Sequence, residues 1–154
     1  MNSDKINSLI TTLEAEIAHY KISNPEVSKS NVAWHIDHSL KVINKVCETL
    51  QKSEPETYKN NFSFLGKVFF FLGFFPRGKA KAPKHVIPPE TILKADLISQ
   101  IELAKANIKT LSNLDKNAYF KHPLFGNVNT PRIYRFLELH TNHHVKIIGE
   151  IVGN

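Results

Sequence analysis

The amino-acid sequence predicts an all-α fold: a four-helix bundle with a long crossover between the second and third helices. Four segments of roughly twenty residues repeat their apolar side chains at spacings of three and four, as a helix with one buried face does. No segment shows the sustained apolar–polar alternation of a strand. Residues 53–89 separate the second and third helices, and a link of that length can make these two helices parallel.

The first two helices are predicted over residues 3–20 and 30–52, with Ser3 and Ser30 as N-caps. Asn24-Pro25 interrupts the helical pattern between them, because proline disfavours helix at the preceding residue. The second helix has a wide apolar sector, which predicts a position well inside the bundle. Its stripe contains Val32, Ile36, Leu40, Ile43, Cys47 and Leu50, and Trp34, His38, Val42 and Val46 lie beside it.

The third helix is predicted to begin at Thr91 or nearby and to continue past Leu111. The fourth begins with Thr130 as the N-cap and Pro131 as the first helical residue, a position where the missing N–H of proline costs nothing. Gly153 is predicted to end it. Its inward sector contains Ile133, Phe136, Leu137, His140, His144, Ile147, Ile148 and Ile151.

The crossover contains a phenylalanine-rich segment, residues 62–75, followed by a basic run, residues 77–84. A link this long needs structure of its own in a compact domain, so a short helix or turn packed against the bundle is predicted. A dimer contact through an exposed apolar patch is a second interpretation. A membrane-surface segment is less favoured, because the consecutive phenylalanines spread around the helix instead of forming one apolar face.

Length and composition predict one soluble domain over residues 1–154. A cytoplasmic location is expected. The 20 basic and 14 acidic residues give a net charge of +6, but they are mixed along most of the chain, and no nucleic-acid-binding motif is present. The single cysteine, Cys47, excludes an intrachain disulfide and fits a reducing compartment. No apolar segment has the length of a membrane span, so neither nucleic acid nor a membrane is expected as a partner.

Three histidines lie within five positions of the fourth helix: His140, His143 and His144. Residues four apart share one helix face, so His140 and His144 project together toward the core and can hold one metal ion. The second helix offers a third imidazole from His38 or His35. Three imidazoles would suit zinc, nickel, copper or iron and leave a position open for water or substrate.

Histidines at this spacing can also be ordinary core residues that bond to a carbonyl or a carboxylate. A metalloprotease is not expected, because Thr141 stands where that mechanism needs a glutamate.

Two segments carry a family resemblance: "WHIDHSL" at 34–40 and "FKHPLFGNVNTPRIYRFLELHTNHHVKII" at 120–148. They resemble the DinB-like superfamily, in particular its branch with an HPxFG loop before an HxxHH helix. The resemblance implies a four-helix bundle in which one histidine of the second helix and two of the fourth hold a divalent transition metal. Carried over, the ligands are His38, His140 and His144, with His35 as the fallback and no ligand role for His143.

The resemblance also implies an activity and partners. The expectation is a metal-dependent enzyme, a thiol-dependent transferase that acts on a small molecule, with zinc or nickel as the metal. A hydrolase is the next option. A low-molecular-weight thiol is the expected co-substrate, and a homodimer the expected assembly. The rival is a non-catalytic bundle with a structural metal or none, which would serve partner binding.

Residues near the proposed site are assigned mainly structural roles. Pro123 and Gly126 of the "KHPLFG" segment should shape a turn, and His122 could alternatively reach the site as an acid or base. Trp34 and Tyr134 are expected to pack.

Overall fold

The computed structural model of the chain describes residues 3–78 and 81–154. It is mostly helical, as predicted, with five α-helices and one two-stranded antiparallel sheet in that part of the chain. The helices are α1 (Asp4–Glu16), α2 (Val32–Lys52), α3 (Phe64–Leu72), α4 (Lys94–Thr110) and α5 (Thr130–Val152). The strands are β1 (Tyr119–His122) and β2 (Gly126–Asn129).

The core lies among α1, α2, α4 and α5. Helix α2 packs on α4 and α5, and α1 packs on α5 and α4. The predicted stripe of α2 is buried along its whole length, as is nearly all of the predicted inward sector of α5. The three-four periodicity therefore identified the buried faces of these helices correctly. No helix in the described ranges has the length and hydropathy needed to cross a bilayer.

Several predicted helix ends differ from the structure. Ser30 does not cap α2; the side chain of Asn31 accepts the backbone N–H of Trp34 at 2.9 Å. Ser3 precedes α1 but makes no side-chain cap bond, and α1 gives way to a 3-10 turn at Ile17–His19. Helix α4 begins at Lys94, three residues after the predicted Thr91.

Thr130 is also not an N-cap. Helix α5 begins at Thr130 itself, after Asn129. The Thr130 hydroxyl instead donates to the backbone carbonyl of Asp115 at 2.7 Å, which ties the helix to the preceding loop. Gly153 ends α5 in the left-handed conformation (φ 89°), as predicted.

The β-hairpin was not predicted. Its strands have four residues each and pair Phe120 with Val128 and His122 with Gly126. Strands this short cannot display the alternation by which a strand is recognised in sequence. The three-residue connection places Gly126 at φ 75°, in the left-handed region that glycine adopts freely.

The phenylalanine-rich segment forms the predicted short helix, α3. We refer to residues 62–78 as the arm. Phe69, Phe70 and Phe75 pack against the core, while Arg77 forms a two-pronged ion pair with Glu150 of α5 at 2.7 and 2.9 Å. The arm therefore covers part of α5. Residues 79 and 80 of the predicted basic run lie outside the described residues.

Candidate metal centre

The centre is built by α2 and α5, which present three histidines to one point. His38, His140 and His144 each contribute one ring nitrogen, and these three nitrogens lie within 4.8 Å of one another. The ring centroid of His38 lies 5.2 Å from that of His140 and 4.8 Å from that of His144. The two α5 histidines, one helical turn apart, have centroids 4.8 Å apart. The structure thus brings together the three residues that the sequence selected.

A backbone carbonyl from the crossover orients His38. Its Nδ1 lies 2.8 Å from the carbonyl oxygen of Val86. Because a carbonyl oxygen only accepts hydrogen bonds, Nδ1 must carry the proton, and Nε2 keeps its lone pair. The Trp34 ring stacks on the other side of the imidazole, with centroids 5.0 Å apart and planes 22° apart. Packing and hydrogen bonding together set the ring with one nitrogen free to bind a cation.

His140 contains an unsatisfied polar atom. Its Nδ1 is buried and has no hydrogen-bond partner among the described residues. A buried polar atom without a partner costs about 1–3 kcal/mol. Two further imidazoles lie next to this ring, so coordination of an ion by the three rings would offset that cost.

His144 is buried and is held by a residue of α2. Its Nδ1 lies 2.9 Å from Nδ1 of His35, and the opposite nitrogen of His35 lies 2.9 Å from the hydroxyl of Ser28. His35, the fallback ligand of the sequence analysis, thus has both ring nitrogens engaged and stands outside the group of three.

Burial keeps the imidazoles neutral. Desolvation lowers the pKa of His35 to about 4 and lowers that of His38. Desolvation, followed by repulsion from neighbouring imidazoles, takes the pKa of His140 and His144 well below the ordinary value. The His140 side chain keeps some solvent-accessible surface, but protein atoms surround it closely enough that desolvation still lowers its pKa. Neutral imidazole is the form that binds metal, so the site is ready for an ion near neutral pH.

Three other ionisable residues of α2 and α5 make contacts of their own. His143 bonds through Nδ1 to the carbonyl oxygen of Phe75 at 3.1 Å and so anchors the arm. The buried Asp37 carboxylate pairs with Lys41 and accepts from the amide of Gln100 at 2.9 Å. Glu138 pairs with Arg135 at 2.9 Å. These contacts agree with the exclusion of His143 from the ligand set.

His122 serves the hairpin turn. Its Nδ1 accepts the backbone N–H groups of Leu124 and Phe125, each at 3.1 Å. Its ring stacks on that of Phe125, with centroids 4.1 Å apart. Burial lowers its pKa to about 4. The structural role expected of His122 therefore accounts for its position.

The protein's own thiol is poorly suited to chemistry. Cys47 is fully buried in α2, and burial raises its pKa to about 12. The thiolate is the reactive form of cysteine, so this side chain stays protonated and inert.

Tyr134, expected to pack, is partly buried against the core.

A groove of about 300 Å³ lies between the arm and α5. Phe75, Arg77, His143 and Lys146 are among the residues that line it, and the three converging histidines are not. The groove adjoins the centre through His143, whose ring centroid lies 5.0 Å from that of His144.

The donor set fits a divalent transition metal. Three neutral imidazoles in a largely apolar setting match zinc, nickel, copper or iron and are unsuited to calcium or magnesium. Three protein ligands also leave at least one coordination position for another molecule, as in catalytic zinc sites.

Two supporting groups were missed by the sequence analysis: the Val86 carbonyl and the Ser28 hydroxyl. Every residue has a backbone carbonyl, so Val86 carries no sequence signal. Ser28 lies seven residues before His35 in an irregular loop, where helical spacing gives no guide.

Comparison with known proteins identifies the family. The sequence model of the DinB superfamily matches residues 3–148, nearly the whole chain. No curated protein and no solved structure matches this chain. The family match covers α1 through most of α5 and includes all three converging histidines. The chain therefore belongs to the DinB superfamily.

Proposed function

We propose that this protein is a metal-dependent enzyme whose divalent ion, zinc or nickel, is held by His38, His140 and His144. The observation that carries the proposal is the convergence of three neutral imidazoles from α2 and α5, with ring nitrogens within 4.8 Å of one another. In this reading the four longer helices are the four-helix bundle of a single domain spanning residues 1–154.

We further propose a thiol-dependent transfer to a small molecule, with a low-molecular-weight thiol as co-substrate. A divalent ion in such a site acts as a Lewis acid and lowers the proton affinity of a thiol or water that it binds. The chain must obtain its thiol from outside, because the pKa of Cys47, raised to about 12 by burial, keeps that group protonated. The absence of a carboxylate from the described contacts of the three histidines makes a hydrolase that needs a general base the weaker option.

The protein's own residues have separable tasks in this scheme. His38 is held with Nε2 free by its bond to Val86 and by the stacked Trp34 ring. Burial of the three rings lowers their pKa and so keeps them unprotonated. The site therefore offers fixed, neutral nitrogens without a change of protonation at neutral pH.

The alternative is a non-catalytic bundle that binds a partner. The observation in its favour is the outer face of α3, where Phe64 is 81% and Phe71 is 89% exposed. Leu65, Leu72 and Phe74 are also exposed, and a large contiguous apolar patch marks an interaction site. We propose that this surface forms a homodimer, and that the protein functions in the cytoplasm, where its single thiol stays reduced.

A transfer assay tests the enzyme directly. Tag-free protein loaded with zinc or nickel would be incubated with several low-molecular-weight thiols and an electrophilic small-molecule acceptor, and thioether formation would be followed by mass spectrometry. Turnover that requires metal and disappears in His38→Ala supports the proposal. Protein with one ion per chain that gives no turnover with any thiol would support the non-catalytic alternative.

A further inference from the structure

The chain of contacts from His144 to Ser28 is a second feature of the centre, and it lies beyond the three proposed ligands. Nδ1 of His144 lies 2.9 Å from Nδ1 of His35, and Nε2 of His35 lies 2.9 Å from Oγ of Ser28. The Ser28 oxygen also accepts the backbone N–H of Ser30 at 3.1 Å. The three side chains thus form a continuous line from the buried centre to the partly exposed loop before α2.

Only two proton arrangements satisfy this line with neutral rings. Two Nδ1 atoms at 2.9 Å share a single proton, so one imidazole donates and the other accepts. If His144 donates, its Nε2 keeps a lone pair, and His35 must then carry its proton on Nε2 and donate to Ser28. If His35 donates instead, the proton of His144 sits on Nε2, which then has no lone pair for a metal.

The first arrangement matches what a metal needs. A histidine that ligates through one nitrogen usually donates its other N–H to an acceptor, which fixes the tautomer and the ring orientation. For His38 that acceptor is the Val86 carbonyl. For His144 the acceptor is another imidazole, which can serve only while its own proton points toward Ser28.

We propose that His35 is a positioning residue for the metal centre, and that with Ser28 it holds His144 in the tautomer whose Nε2 binds the ion. The inference rests on the metal centre proposed above. It assigns His35 the task of supporting a ligand, in place of ligating the ion itself.

The geometry around His35 favours this role over simple core filling. The ring is only 4% exposed, and the Trp34 ring meets it edge-on with centroids 5.2 Å apart. Its own helix therefore fixes His35 independently of His144. A ring held by its neighbours presents its acceptor at a defined place, which a flexible polar side chain would not.

Three variants separate the positioning role from a structural one. His35→Phe keeps a ring but removes both nitrogens. His35→Asn restores an oxygen near the position of Nδ1, and Ser28→Ala removes the end of the line. His143→Phe is the matched control, because it removes a ring hydrogen bond next to His144 that leads to the arm and not to the centre.

The measurement is the zinc dissociation constant of tag-free protein, by competition with a chelator of known affinity. We expect His35→Phe to weaken binding by about 10–100-fold at an unchanged stoichiometry, the usual effect of losing such a partner. We expect His35→Asn to recover most of that loss and Ser28→Ala to show a smaller weakening. His143→Phe should stay within about threefold of the wild type, below the range for a supporting residue.

Nitrogen-15 NMR of the imidazole rings in the zinc-loaded wild type gives a readout that does not depend on whether a variant folds. We expect the proton of His35 on Nε2 and that of His144 on Nδ1. A proton on Nδ1 of His35, or wild-type affinity in His35→Phe, would overturn the positioning role while leaving the three ligands intact. A wild type that takes up no zinc would overturn the centre and the positioning role together.

Discussion

At the scale of single residues, the histidines are distinguished by the group that each ring nitrogen meets. Nδ1 of His38 meets a carbonyl oxygen, and Nδ1 of His144 meets another imidazole. Nδ1 of His140 is buried and meets no partner among the described residues. Each of the three rings therefore keeps at least one nitrogen without a hydrogen-bond partner in the contacts described, as expected of a site that is completed by an ion.

Buried neutral histidines make the stability of the metal-free protein depend on pH. The pKa values of His35 and His122 are lowered to about 4, whereas both rings titrate near 6.5 when the chain unfolds. The unfolded state therefore binds more protons in this window. The free energy of unfolding should be highest above about pH 6.5. It should fall as pH drops toward about 4, by up to about 1.4 kcal/mol per pH unit for each of the two groups.

Urea unfolding of chelator-treated protein between about pH 7 and about pH 4.5 checks this expectation. His122→Asn is the informative variant, because its side-chain oxygen can accept the N–H groups of Leu124 and Phe125 without binding a proton. We expect a shallower pH dependence in this variant than in the wild type. Equal slopes in the two proteins would contradict the assignment of His122 as a neutral turn residue.

Residue spacing and the family resemblance together selected the three candidate ligands, but neither could reveal the groups that support them. The three-four pattern placed His140 and His144 on one inward face, and the family resemblance preferred His38 to His35; the structure groups these three. The bond from His38 to Val86 joins residues 48 positions apart through a backbone atom, so no side-chain pattern records it.

At the scale of elements, the crossover contributes to the centre as well as connecting helices. Its 3-10 turn at Lys84–Val86 packs on α2 and delivers the carbonyl that orients His38. The arm, earlier in the same crossover, is tied to α5 by Arg77 and by the Phe70 carbonyl, which accepts from Arg135 at 3.1 Å. The crossover thus contacts both of the helices that carry the three converging histidines.

The hairpin is attached to the crossover at a place that tolerates no side chain. A Cβ at Gly126 would lie 2.5 Å from the backbone oxygen of Asn61, and Gly126 has a φ of 75°. The backbone N–H of the next residue, Asn127, donates to the Asn61 side chain at 2.7 Å, so the two segments cannot easily separate.

We expect Gly126→Ala to lower the free energy of unfolding by at least about 2 kcal/mol, because the strain of a positive φ adds to a backbone clash. Gly153→Ala is the matched control: its φ is 89°, but a Cβ there would meet nothing within 4 Å. The control should lose about 1 kcal/mol, from the backbone conformation alone. Chemical denaturation measures both, and equal losses would show that the contact with Asn61 is unimportant.

Helix positions were predicted well and helix ends less well, for a local reason. Ser30 and Asn31 are adjacent and both can cap, and only the backbone conformation decides between them. The position of Thr130 before a proline predicts a cap, but its hydroxyl donates to the carbonyl oxygen of Asp115 instead. The periodicity of the buried face survives such local competition, because it is averaged over many residues.

At the scale of the whole molecule, the arm has two different faces. The inner face packs Phe69 and Phe70 on the core, whereas the outer face leaves Phe64 and Phe71 largely exposed. The two exposed rings are seven residues apart and share a helix face. This outer face is the surface that we propose for the homodimer.

Light scattering after size-exclusion chromatography tests the dimer. We expect a dimeric wild type, and a monomer when Phe64→Glu and Phe71→Glu are combined, because two charges would have to be buried at the contact. Leu103→Glu, at a residue of α4 that is 52% exposed, is the control and should leave the dimer intact. A monomeric wild type at micromolar concentration would contradict the proposal.

The amount of metal bound per chain is the most direct test of the three-histidine centre. Tag-free protein would be supplied with zinc or nickel, freed of loose metal and analysed by elemental mass spectrometry, alongside His38→Ala, His140→Ala and His144→Ala, with His85→Ala as an exposed-histidine control. We expect about one ion per chain in the wild type and the control, and a loss of most bound metal in each of the other three variants. Wild-type protein with almost no metal, or variants that keep it, would contradict the proposed centre.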